Sequence, residues 1–128
     1  MPPSLTGAHL LAVTVGSAAG GVLRWCVGLW LNPQWHGFPL GTLAVNVVGG
    51  FLIGAAMAWL TAAPNEAWRL LLVTGFLGGL TTFSAFSFES LVLLQSGRFG
   101  MAALHLLAHV LGALGAAALG WSTVRGAT

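Results

Sequence analysis

An all-α membrane protein of four transmembrane helices is the fold class this sequence predicts, and three observations predict it. Only 5% of the 128 residues are charged and 57% are hydrophobic, whereas a water-soluble domain carries about 25% charged residues. The mean hydropathy is +0.92. The apolar stretches are each long enough for the roughly 20 residues that cross a bilayer, and four of them with short turns fill the chain. The reading is therefore one four-helix transmembrane domain over residues 1–128, in contact with lipid.

The first span is expected at about His9 to Leu31. Met1 to Gly7 has no basic leader region and the apolar stretch outruns a signal segment, so the span is read as retained. A polar turn, Asn32 to Gly37, leads to the second span at about Gly41 to Leu60. Pro64, Asn65 and Glu66 then read as a helix start, with Asn65 as N-cap and Glu66 favourable in the first turn. The third span, about Ala67 to Leu94, is expected to be interrupted around Gly78-Gly79, because paired glycines weaken a helical ladder. The fourth runs from about Phe99 to Trp121. Trp30, Trp35, Trp59, Trp68 and Trp121 sit near span ends, as in an interfacial aromatic belt.

Charge excludes several functions. The pI of 10.2 rests on four Arg against two Glu, with no basic cluster, so there is no phosphate-binding stripe and no nucleic-acid partner is expected. No nucleophile–base pair or phosphate loop points to an enzyme. Cys26 cannot form an internal disulfide and is expected to pack as a small apolar residue. Four spans place both termini and the second loop on one side, with Arg69 and Arg125; Arg98 and Arg24 lie towards the other. This even count fixes no orientation under the positive-inside rule and permits an antiparallel dimer.

Gly16, Gly20, Arg24 and Gly28 recur at spacing four, as do Gly50 and Gly54, and then Gly112, Ala116 and Gly120. In lipid small residues let helix backbones approach. Polar groups at membrane depth are costly, roughly 2.5 kcal/mol or more for a charge. Arg24, Asn46 and Glu89 are therefore candidate functional residues. The Asn46 amide can donate two hydrogen bonds, and Thr42, Asn46, Gly49 and Ile53 share a helix face. Phe83, Phe86, Ser87 and Ser90 also share a face, and an aromatic ring edge is weakly positive. These residues could be packing and interhelical hydrogen bonds, or the lining of an anion path.

Three segments resemble the Fluc (CrcB) family of small fluoride channels. Gly20 to Trp25 resembles its G-A-x-x-R-Y pattern. Gly41 to Gly54 resembles its G-T-L-x-x-N-x-x-G-x-F-x-x-G. Gly75 to Glu89 resembles its long G-x-x-G-G-x-T-T-F-S-T-F-S-x-E. The resemblance implies a dual-topology, antiparallel homodimer in a prokaryotic plasma or inner membrane, passing fluoride passively out of the cell. It implies pore roles for Asn46, Phe83 and Phe86, a polar track through Ser84 and Glu89, and a vestibule position for Arg24. It implies a structural Na⁺ at the dimer centre, held by backbone carbonyls at Gly78 and Thr81.

Two departures stand out. The family's Thr between the two pore phenylalanines is Ala85 here, and its fourth-span hydroxyls fall at His105 and His109, with Ala113 beyond. Those histidines are expected to line the pore or bond between helices; their i, i+4 spacing also suits a metal, with no third ligand evident. The alternative function is a small four-helix multidrug-type exporter. That class resembles proteins with an essential Glu in the first span, where this chain has Arg24 and no acid.

Overall fold

Residues 5–127 are described by a computed structural model of the chain. Most of the Met1 to Gly7 stretch lies outside them. Four helical units are long and apolar enough to cross a membrane, and among the described residues there are no strands.

Helix α1 (Gly7–Leu31) is capped by Thr6, whose side chain accepts from the His9 N–H. A 3₁₀ turn, Asn32–Gln34, follows, and Asn32 caps the next helix from a distance: its Oδ1 accepts from the Gly41 and Thr42 N–H groups at 2.7 and 3.2 Å. Helix α2 spans Leu40–Ala62. The third unit, Glu66–Gln95, has two parts. Its first part, α3, covers 66–80 and starts as read from sequence, with Asn65 as N-cap and Glu66 in the first turn. Over Arg69–Leu77 it is wound as a π-helix, a widened form that is rare at this length. Thr81 (φ −89°, ψ 155°) and Thr82 (φ −149°, ψ 115°) are extended, and α4 (Phe83–Gln95) begins after them with Thr82 as its N-cap. Helix α5 covers Phe99–Ala127.

The spans thus run further than their sequence limits, most of all at α5, which continues six residues past Trp121. Nothing in Ser122 to Ala127 stops a helix, and Arg125 lies over the Trp121 ring at 5.5 Å.

Packing joins α1 to α3 and α2 to α5. Both seams are built on glycine. A Cβ on Gly79 would come within 2.5 Å of the Ser17 carbonyl oxygen, and one on Gly50 within 2.6 Å of that of Ala113. Where the partner atom is backbone, a side chain cannot be accommodated without moving the helix. Between the seams Val45, Leu77 and Leu80 form the buried apolar centre, with Val27, Ile53 and Phe76 against it. The outer surface is apolar: Leu10, Trp25, Leu107, Leu111 and Leu114 are all more than half exposed. Such a surface suits lipid or another subunit and not water. Cys26 is also exposed, contrary to its expected packing role; it lies on the outer face of α1, while Gly16 and Gly20 take the inner face.

Candidate functional site

The costly polar residues converge on the junction between α3 and α4. Asn46 reaches it from α2. Its Oδ1 accepts from the Thr82 N–H at 2.8 Å and its Nδ2 donates to the Thr82 carbonyl at 3.0 Å. Those two bonds fix which end of the amide is which. The second Nδ2 proton then faces His109 Nδ1, 3.1 Å away on α5. A nitrogen that accepts carries no proton, so neutral His109 holds its proton on Nε2. That Nε2 is buried and has no hydrogen-bond partner among the described residues. Buried polar atoms are nearly always paired, so a bare donor at this place needs a reason.

The same junction redirects backbone groups. In a continuous helix the Thr82 N–H would serve the Gly78 carbonyl, and the Ala85 N–H that of Thr81. Instead the Thr82 N–H goes to Asn46 and the Ala85 N–H to Thr82 Oγ1 at 3.1 Å. The carbonyl between them, Gly79 O, accepts from Arg24 Nε at 3.0 Å. Arg24 therefore ties α1 to the end of α3.

Around the junction, Phe86 is buried against two neighbouring imidazoles, with ring centroids 5.4 Å from His105 and 4.6 Å from His109. Phe83 meets Phe86 edge-on at 5.4 Å yet is 78% exposed. The face expected to carry Phe83, Phe86, Ser87 and Ser90 together is divided: Phe86 and Ser90 turn inward, Phe83 and Ser87 outward. An open cleft of about 470 Å³ runs past Asn46, Gly78, Thr81, Phe83, Phe86 and His109. A second cleft, of about 300 Å³, lies past Arg24, Asn32, Thr42, Thr82, Ala85 and Glu89. Ser84 is exposed at the start of α4, with its hydroxyl 3.2 Å from Thr82 Oγ1.

Glu89 joins the histidines, where the sequence offered no third ligand. One possible ligand atom from each of Glu89, His105 and His109 lies within 4.8 Å of the others. Glu89 Oε2 accepts from the Thr42 hydroxyl at 2.5 Å, Glu89 Oε1 is 3.1 Å from His105 Nε2, and His105 Nδ1 is 3.0 Å from Ser90 Oγ. His109 makes a poor metal ligand in this arrangement, because Nδ1 is committed to Asn46 and Nε2 carries the proton. Sequence reasoning also undervalued Thr42 and Ser90; the signal for Thr42 was its place one turn before Asn46.

The family model described as CrcB-like protein, Camphor Resistance (CrcB), matches residues 11–121. The chain is 53% identical over 114 residues to a fluoride-specific ion channel FluC of Aromatoleum aromaticum, covering 88% of this chain and 87% of that one. It is 49% identical over 116 residues to one of Marinobacter nauticus, covering 89% and 92%. It is 53% identical over 107 residues to one of Pseudomonas aeruginosa, covering 82% and 84%.

Proposed function

The chain belongs to the CrcB family, and we propose that it is a fluoride-selective channel that lets F⁻ leave a bacterial cell passively and so confers fluoride resistance. It is a channel-family protein of a bacterial membrane and not an enzyme. The observation that carries the fluoride reading is the unpartnered Nε2–H of His109, buried beside the cleft that Asn46, Phe83 and Phe86 line.

Fluoride holds its hydration tightly, so a selective path must replace water with hydrogen-bond donors. His109 Nε2–H supplies one. The Ser84 hydroxyl supplies another along the same junction, Asn46 gives its two amide protons to Thr82 and His109 and so holds the His109 donor in place, and the edges of Phe83 and Phe86 present weak positive charge. Arg24 lines the second cleft with Glu89, where its guanidinium attracts anions towards the junction. An inside-negative membrane potential drives the anion outward.

The exposed Phe83 and open cleft leave this path half-walled in one protomer. An antiparallel homodimer closes it, in keeping with the even arginine count. A structural Na⁺ fits the residues present. The Gly78 and Thr81 carbonyls are relieved of their usual N–H partners, and uncharged oxygens suit a hard monovalent cation. Two carbonyls are few for one cation, and a second subunit would double them.

Asn46→Asp tests the reading. Aspartate cannot donate to Thr82 or His109 and brings negative charge to the path. Fluoride efflux from proteoliposomes is expected to fall by about a hundredfold or more; efflux at the wild-type rate from a folded Asn46→Asp variant would remove Asn46 from the path.

A further inference from the structure

We propose that Glu89 and His105 share one proton and act as a single net-neutral group, so that His105 cancels the charge of a carboxylate standing beside the anion path. This inference rests on the fluoride-channel reading of the site.

The proton count follows from the hydrogen bonds. Ser90 Oγ lies 2.8 Å from the Phe86 carbonyl, which can only accept, so the single hydroxyl proton points there. His105 Nδ1 lies 3.0 Å from the same Oγ and must therefore donate to it. With Nδ1 protonated, Nε2 of a neutral ring presents a lone pair, and it faces Glu89 Oε1 at 3.1 Å. A lone pair against a carboxylate oxygen repels. The contact is attractive only with a proton in it, either on nitrogen, giving imidazolium and carboxylate, or on oxygen, giving imidazole and carboxylic acid. Both forms sum to zero charge, and the proton passes between Nε2 and Oε1 without leaving the pair.

Position makes this neutrality matter. His105 is fully buried, and the Glu89 side chain is 16% exposed. The Thr42 hydroxyl donates to the other carboxyl oxygen. From α2 only that uncharged hydroxyl faces Glu89. From α5 the second titratable group is His109, whose ring is 4.5 Å from that of His105. From α1 Arg24 lines the same cleft, with its Nε given to Gly79 O. Among the described residues His105 is the one cationic or titratable group within ion-pair distance of Glu89. Without it, a lone carboxylate would repel the permeating anion.

His105→Gln keeps a side-chain N–H but no titratable proton. Its fluoride efflux is expected to fall on the order of tenfold below wild type, because the Glu89 carboxylate is then left without its cationic partner. Adding Glu89→Gln to His105→Gln removes the uncompensated charge and should restore efflux. A His105→Gln variant with the wild-type rate overturns the proposal, as does a double variant no faster than the single. Nitrogen-15 spectra of histidine-labelled protein give a readout independent of transport and of any variant's folding, with His105 Nδ1 expected to be protonated. A bare Nδ1 defeats the inference alone; a wild type that conducts no fluoride defeats the channel reading alone.

Discussion

At the residue scale, side chains that are expensive in a membrane are placed so that each serves another group. Arg24 is spent on a backbone carbonyl, Asn46 on both backbone groups of Thr82, and Thr42 on Glu89. Among the described residues His109 Nε2 has no hydrogen-bond partner, in keeping with the donor role proposed for it. The phenylalanines differ in kind. Phe86 is buried against two neighbouring imidazoles, whereas Phe83 is 78% exposed. Phe83→Ile and Phe86→Ile each remove a ring edge while keeping apolar bulk. Either change is expected to lower fluoride efflux by about tenfold or more, measured in proteoliposomes beside wild type. Unchanged flux in both would mean that the rings only pack.

At the element scale, the site depends on how closely α3 approaches α1. Gly79 sits where its carbonyl meets Arg24 and its Cα faces Ser17. Gly79→Val forces backbone against backbone, so α1 and α3 must separate. We expect a loss of about 1–3 kcal/mol in stability, seen as a lower midpoint of thermal unfolding in detergent, together with lost flux. Much of this architecture was legible beforehand. The apolar lengths gave four spans, Asn65 and Glu66 marked the start of α3, and the spacing-four glycines marked close helix contacts without saying which helices pair. The π-helical winding of Arg69–Leu77 was not legible, since no local residue pattern demands it. Nor was the long-range cap that Asn32 places on α2. Glu89 was legible as a costly residue but not as the partner of His105, because 16 positions separate them and only tertiary packing joins the two helices. Cys26 was misread for the opposite reason: its type favours burial in water, but in lipid the outer face of a helix is equally apolar.

At the scale of the whole molecule, the chain presents an open cleft, an outward phenylalanine and two carbonyls freed from helical bonding, all along one junction. Each gains a partner if a second copy packs there, which is how a chain this short could enclose a path. The central claim is that the resulting path selects fluoride, and fluoride efflux from liposomes reconstituted with purified wild-type protein, with chloride as the comparison ion, tests it most directly. Fast fluoride efflux is expected, with no chloride efflux above protein-free liposomes. Equal rates for the two ions, or no fluoride efflux from folded protein, would contradict that claim.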